Sequence, residues 1–547
     1  MHTFTLGIWD GHDSGAALLS NGQLSCAINE ERLTRRKLEI TFPRHSIFAC
    51  LDQANLTPSQ IHQIAASTTD PAKTLTRLWP TTKERYYLLR RHLTDPSPID
   101  PWTQWAKRII TRQSGNSLTR WASSRMLQTE LRALGFPNHI PITLHDHHLC
   151  HAATAAFGLG EENTLIVTLD GVGDGRAGSL YHFRNGQLHP LASIAARDSL
   201  GSLFECITRL LHLRELEDEG KVMALADHAP TFDPIDNPLL PLFKVTGLNI
   251  RAQHRDIEQV VRRIHWRQPN ESLAAMAQQA LEVWVLEWIA NALAWTGCRR
   301  IALAGGIFAN VRLNGRIQSL PGVERCYVFP HMGDGGLAVG AACLSATPQQ
   351  PIFSDLFLGP VASEEAIAAA VLASGYAYRQ SNDPVGDAAR LLTAGRIIGW
   401  HQGRMEYGPR ALGARSVLAR PDLPGLREKL NRTLKRRAWY QPFCPAMLDE
   451  DARQLFEDHF GEPNRYMTSL YRLRPEYRAR LIEVSGTDGS CRPQMVAEKE
   501  QSRTPASTRT EHLWSTPQPK HCKLWRLCSS ITWLSTIGSW IGCDEIV

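Results

Sequence analysis

Short runs of mainly apolar residues, Thr3–Trp9, Leu165–Leu169 and Arg300–Leu303, carry the pattern of strands covered on both faces. Each run leads straight into a turn rich in Gly or Asp. Asp256–Ile264 and Ser272–Trp295 instead repeat their apolar residues at helical spacing. This alternation predicts an α/β architecture, with ligands held at the carboxyl ends of the strands. The most apolar long segment, Leu273–Gly297, contains Glu282 and Glu287, so it predicts a buried helix and no membrane span. A Pro-rich break from Ala346 to Phe353 closes the first part. A second part opens on Leu358-Gly359-Pro360 and carries a strand over Arg396–Trp400. The expected domains are 1–350, 351–497 and a tail, 498–547, of different character. The tail holds four of the fifteen tryptophans and three of the twelve cysteines with no helix or strand period.

The 547 residues exceed what one core supports, and 43% hydrophobic with 21% charged residues is the composition of a globular protein. A net charge of +6 spread over this length excludes a nucleic acid partner as the main reading. No membrane partner is expected either. The cysteines form no CxxC pair, which implies reduced thiols and a cytoplasmic location, with Cys150 and Cys444 as small packing residues.

Three constellations carry chemistry. His147 and His151 are four apart, so on a helix both imidazoles share one face and can share a cation, while His148 points elsewhere. Asp334, in a loop crowded with glycine, can close a two-histidine, one-carboxylate triad. Two Gly-rich turns after strands suit a nucleotide: Asp170, Gly171, Gly173 and Asp174 in one, Gly305, Gly306 and Asn310 in the other. With a third turn from Gly7 to Gly15 they look like the loops of the actin, Hsp70 and sugar-kinase superfold. Neither turn has Walker spacing or a full dinucleotide fingerprint. The densest signal lies in the second part, where Arg410 and Arg415 stand among Gly and Pro, followed by Lys435, Arg436 and Arg437. Guanidinium forks bind phosphate and carboxylate oxygens at two points, so this is a candidate anion site.

The ordered motifs GHDSGAALL, EERLTRRK, HHLCHAA, LDGVGDG, DEGKVMALA, AGGIFANVRLN, HMGDGGLAVGAA, GRMEYGPRALGARS and KRRAWYQPFCP resemble the O-carbamoyltransferases that decorate antibiotics and nodulation factors. The resemblance runs over roughly residues 1–497. It implies a duplicated actin/Hsp70/sugar-kinase-like (Kae1-like) N-terminal domain and a smaller YrdC-like α/β domain. It implies that Arg410, Arg415, Lys435, Arg437, Arg492 and Lys37 handle carbamoyl phosphate, Arg410 and Lys435 in catalysis. ATP, with Mg2+, would give carbamoyl-adenylate and pyrophosphate, and the carbamoyl group would pass to a hydroxyl of a small-molecule or glycan acceptor. His12 would contact the acyl group or take the acceptor's proton. His147, His151 and Asp334 would hold a divalent metal, for which the family pattern favours Fe(II). A homodimer is compatible with this reading, and the Arg- and Trp-rich region Asp70–Met126 is the candidate acceptor surface.

Two departures stand out. The family's Arg-Glu and its Arg before Pro-Phe read here as Arg437-Ala438 and Gln441-Pro442. After Thr487–Val496, which resembles the family's Asp-Gly-Thr segment, the expected Asn-Thr-Ser-Phe-Asn is missing. Joining the third base of each codon to the first two of the next, from Arg503 to Thr508, permits N-T-S-F-N. The same frame through Pro519 permits G-A-P-M-V-N-T-P-A. The tail therefore reads as a frameshift product that leaves the second domain incomplete. Two other readings stay open: an inactive remnant binding only nucleotide and metal, and a Kae1-like tRNA-modifying enzyme.

Overall fold

A computed structural model describes residues 2–98, 100–230, 232–346, 348–457 and 463–497. The chain forms two compact units, Met1–Pro360 and Val361–Val547.

The first unit contains the same five-stranded sheet twice. In each, a three-strand antiparallel meander is extended from its first strand by two further parallel strands. The first copy runs Phe4–Trp9, Gly15–Ser20 and Gln23–Asn29, then adds Gln63–Ser67 and Ile142–His145 beside Phe4–Trp9. The second runs Thr164–Gly173, Arg176–Arg184 and Gln187–Ala195, then adds Arg300–Ala304 and Arg325–Val328 beside Thr164–Gly173. This repeated order is the duplicated actin- and sugar-kinase-like architecture expected from the turns. The expected strands appear with small shifts at their ends, because the apolar runs are buried on both faces. The long predicted helix is Asn270–Thr296, with Leu273, Trp284, Val285, Trp288 and Ile289 buried.

Two helices lie between the sheets and fix the site. His147–Leu159 starts on Asp146, whose carboxylate accepts from the Leu149 N–H, and stops at Gly160 in the left-handed region, φ 69°. Leu337–Ser345 packs against both the first sheet and that helix. The packing is backbone on backbone. A Cβ on Gly7 would fall 1.9 Å from the Ala338 carbonyl oxygen, and one on Gly340 would fall 2.0 Å from that of Cys150. Only glycine allows this approach.

The first unit ends later than the boundary expected at 350. Residues 352 and 358 bond to its first sheet and to the helix His147–Leu159: Leu24 N–H donates to Ile352 O (2.8 Å), Ala27 N–H to Leu358 O (3.2 Å) and Ile352 N–H to Phe157 O (3.2 Å).

The second unit is α/β in content, with its described strands in three short pairs: Ile398–His401 with Arg415–Leu418, Ala446–Leu448 with Gln494–Val496, and Tyr471–Arg472 with Ser490–Cys491. One small core gathers Met447, Phe456, Tyr471, Leu473 and Met495, and another Leu392, Ile398 and Trp400. The tail expected to be frameshifted, 498–547, lies outside the described residues.

Candidate functional site

His147 and His151 occupy successive turns at the start of their helix, so the i, i+4 spacing puts both rings on one face, with centroids 4.8 Å apart. Asp146 caps that helix and Thr68 Oγ1 lies 3.0 Å from His147 Nδ1, which turns Nε2 towards the space between the sheets. Two carboxylates meet it there. His147 Nε2 lies 3.4 Å from Asp170 Oδ2 and 3.5 Å from Asp334 Oδ1; His151 Nε2 lies 3.1 Å and 3.4 Å from the same two atoms. One ligand atom from each of the four residues falls within 4.8 Å of the others. His148 faces away, with Nδ1 3.0 Å from Thr168 Oγ1.

The donor set fits a divalent cation. Two imidazole nitrogens and two carboxylate oxygens converge from three separate segments, and a partner on the far ring nitrogen fixes His147. In the bare protein the same crowding must be balanced by protons. Burial lowers the His147 pKa, but Asp334 and Asp170 outweigh it and raise it to about 9. A dication balances the two carboxylates with both imidazoles neutral.

The sequence placed Asp170 with the nucleotide; the structure brings its carboxylate to the histidine pair. Asp174, from the same turn, is a brace instead. Its Oδ1 accepts from Thr69 N–H and its Oδ2 from His147 N–H, both at 2.8 Å. Burial, then the nearby Asp70 and Asp146, push its carboxyl up to about 6.

Asp334 also reaches a third histidine. Its Oδ2 lies 3.1 Å from His12 Nε2, and Tyr87 meets the His12 ring edge-on at 5.5 Å. His12 Nδ1 is buried with no hydrogen-bond partner among the described residues. The turn carrying His12 is anchored by Asp10, whose carboxylate pairs with Arg77 Nε (2.9 Å) and Lys73 Nζ (2.8 Å), all three side chains buried. This network was not anticipated from the sequence, although Asp10 stands in the His12 motif and could have been flagged there.

The glycines beside the cluster are forced by contact. A Cβ on Gly173 would enter the His147 ring at 2.2 Å, one on Gly305 would meet Leu169 O at 2.1 Å, and one on Gly306 would approach Asp170 Oδ1 at 2.8 Å. Gly171 N–H donates to Asp170 Oδ1 (2.7 Å). The two loops expected to hold nucleotide therefore converge on Asp170. Asn310 is occupied otherwise: it caps the helix Val311–Gln318 and exchanges hydrogen bonds with Gln278. Glu205, which the sequence did not single out, and Glu219, of the DEGKVMALA motif, border this turn. Gly171 abuts Glu205, and burial with the Glu205 charge pushes Glu219 up to about 7.

In the second unit the expected anion residues separate by role. Arg410 Nε is buried without a partner among the described residues, and burial and Arg492 lower its pKa to about 9. Arg492 points Nε and Nη2 at Cys444 Sγ (3.1 and 2.9 Å), and Arg437 covers the Phe443 ring at 4.4 Å while donating to Asn431. Burial, then Arg437 and Arg415, lower the Lys435 pKa. These are cations with too few anions among them. Arg415 differs: it pairs with Glu406 (3.1 Å) and donates to the Gly408 and Arg410 carbonyls, so it braces the loop. Lys37 is in the first unit, exposed and paired with Glu217 at 2.7 Å.

Residues 5–343 match the family model described as Carbamoyltransferase N-terminus, and 389–508 match Carbamoyltransferase C-terminus. The chain is 34% identical over 395 residues to uncharacterized protein MJ1058 of Methanocaldococcus jannaschii, covering 66% of this chain and 64% of that protein. It is 31% identical over 509 residues to nodulation protein NolNO of Sinorhizobium fredii, covering 89% and 70% respectively. Among solved structures, full-length HypF in its phosphate- and nucleotide-bound form is similar with a TM-score of 0.37 and 11% identity, over 63% of this chain and 55% of that one. The ROK hexokinase of Thermus thermophilus is similar with a TM-score of 0.31 and 14% identity, over 63% and 98%.

Proposed function

The chain belongs to the carbamoyltransferase family, and on that premise we propose that it is an O-carbamoyltransferase acting on carbamoyl phosphate, ATP and an acceptor hydroxyl. The observation that carries this reading is the Asp334 carboxylate, which faces a two-histidine cation site with one oxygen and a candidate proton acceptor with the other.

In the second unit Arg410, Lys435, Arg437 and Arg492 bind the dianionic end of carbamoyl phosphate, which offsets their mutual repulsion. Carbamoyl phosphate, ATP and water give carbamoyl-adenylate, phosphate and pyrophosphate. Water cleaves carbamoyl phosphate to phosphate and carbamate, a poor electrophile, and the carbamate oxygen then bonds to the α-phosphorus of ATP as pyrophosphate leaves, which gives the carbamoyl group AMP as a good leaving group. His147, His151, Asp170 and Asp334 would hold the divalent metal, which when bound supplies Lewis-acid polarisation of the carbamoyl carbonyl. The family resemblance favours Fe(II) there, with Mg2+ accompanying ATP. His12 takes the proton of the acceptor hydroxyl at Nδ1, the nitrogen left without a partner, and Asp334 on Nε2 stabilises the resulting imidazolium. The hydroxyl oxygen bonds to the carbamoyl carbon as AMP leaves.

The test is pyrophosphate release from purified protein mixed with carbamoyl phosphate and ATP. Release that Arg410→Ala weakens at low carbamoyl phosphate supports the reading. No release from a folded protein that still binds ATP would identify an inactive remnant.

A further inference from the structure

Residues 101–126 lie within the region that the sequence offered as the acceptor surface, yet none of the site residues described above comes from them. Arg112, Arg120 and Arg125 are exposed there, and the stretch holds no Asp or Glu. The helix Asp100–Ile110 turns Trp102, Trp105 and Ile109 to solvent, three and four residues apart and so on one face. Trp102 is 72% exposed and Trp105 58%. On the next helix, Ser117–Ala133, Leu118 and Trp121 are also exposed, with the Arg125 guanidinium 6.0 Å from the Trp121 ring centre. Beside Trp121 a shallow cleft of about 180 Å3, lined by Ser124, Arg125 and Gln128 among others, has room for a single phosphate headgroup.

We propose that this surface docks on an anionic lipid bilayer, its indoles in the interfacial layer and its guanidinium groups on headgroup phosphates. Indoles favour that layer because one edge is polar and the ring body apolar, and a one-faced apolar helix flanked by cations is the form that lies in it. Other occupants fit less well. A two-fold pairing of copies would bring together two patches of the same positive charge. Ile109 and Leu118 offer nothing to a glycan hydroxyl or to a nucleic acid backbone. The sequence reading of no membrane partner rested on spanning segments. Among the described residues no helix is long and apolar enough to cross a membrane, but a helix lying in the interface escapes that criterion. The placement also has a use. Lys107, on the same helix, lies over the Tyr86 and Tyr87 rings at 3.3 and 4.6 Å, and Tyr87 meets His12. The helix thus links the surface to the site.

Full-length protein is floated with phosphatidylcholine vesicles, with and without phosphatidylglycerol, beside two double variants: Trp102→Ala with Trp105→Ala, and Arg112→Glu with Arg125→Glu. The expected result is flotation only with phosphatidylglycerol, reversed by high salt. Partitioning falls at least about twentyfold in the arginine variant and also falls in the tryptophan variant, while circular dichroism and nucleotide binding are unchanged. Flotation that is absent in the parent protein, or equal in the variants, overturns the proposal. So does binding to a single-stranded oligonucleotide without binding to vesicles. A light-scattering shift from dimer to monomer in the tryptophan variant, without flotation of the parent, assigns the surface to a second copy and overturns it too.

Discussion

Asp334 divides its carboxylate between two tasks, with Oδ2 3.1 Å from His12 Nε2 and Oδ1 facing the His147 and His151 rings. The two roles come apart on substitution. Asp334→Asn keeps the shape but removes a charge from both, so bound metal should fall at least about tenfold and carbamoyl transfer should fall further than metal loss alone explains. His12→Gln should leave metal content unchanged and remove transfer. Metal analysis by mass spectrometry on both variants, beside single-turnover transfer, separates the two functions. Equal metal content in Asp334→Asn and the parent protein would rule out this carboxylate as a ligand.

Asp170→Asn should behave as a ligand change and Asp174→Asn as a structural one. Asp170 faces both imidazoles, whereas Asp174 binds the backbone of Thr69 and His147. The expected outcome is lost metal with a near-parental melting temperature for the first. For the second, the melt falls by an amount corresponding to about 1–3 kcal/mol, the penalty for weakening charge-assisted bonds to buried N–H groups. Calorimetry with metal analysis reads both.

How much of this site the sequence discloses follows from what kind of contact makes it. The histidine pair is legible because its spacing is local, and Asp334 because its loop is glycine-rich beside a helix start. The Leu169–Gly175 turn offers two aspartates, and only the register irregularity between Leu169 and Gly173 decides which faces the histidines. Composition cannot show that. Lys37 sits in a cationic motif, but Glu217, distant in sequence, takes up its charge. Of the ten strands in the two five-stranded sheets, Phe4–Trp9, Thr164–Gly173 and Arg300–Ala304 are legible as apolar runs, while the others and the pairing order depend on contacts distant in sequence.

Gly340→Ala directly tests the close approach of the helices His147–Leu159 and Leu337–Ser345. The added methyl would sit 2.0 Å from the Cys150 carbonyl oxygen, one turn from His147 and His151, and neither backbone can retreat without moving a helix. Overpacking of this kind typically costs about 1–3 kcal/mol, and the displacement carries the histidines with it. Urea denaturation should show the lower midpoint, and metal content should fall in parallel. An unchanged midpoint would show that the helices have slack.

Asp10 gives a pH signature away from the metal. Burial alone would raise its pKa, but Arg77 and Lys73 outweigh burial and hold the carboxyl far below its ordinary 3.8. A depressed folded-state pKa means stability that is fully present above the unfolded value and lost as pH falls below it. The stability of the parent protein should therefore drop steeply as pH falls below about 4. Asp10→Asn should remove this group's share of that slope, and at neutral pH it should destabilise by about 3–5 kcal/mol because buried cations lose their partner. Urea denaturation between neutral pH and pH 3 measures both effects. A variant as stable as the parent at neutral pH would show that Lys73 and Arg77 find other partners.

Lys37→Ala and Arg410→Ala divide the expected carbamoyl phosphate ligands. Lys37 is exposed and already paired with Glu217, and an exposed pair of this kind is worth about 0–1 kcal/mol. Its removal should leave the KM for carbamoyl phosphate within about twofold, since less than ~0.4 kcal/mol of binding would be at stake. Arg410 has a buried Nε with no partner and stands beside Arg492, so an incoming phosphate is what completes it. A charge-assisted contact of about 1.5–3 kcal/mol predicts that Arg410→Ala raises that KM by about one to two orders of magnitude. Arg410→Lys should restore only part of it, because an ammonium keeps the charge and loses the two-point geometry. Pyrophosphate release measured against carbamoyl phosphate concentration ranks the three. If Lys37→Ala proved the worse variant, the anion would be bound through the EERLTRRK segment and the second unit would need another role.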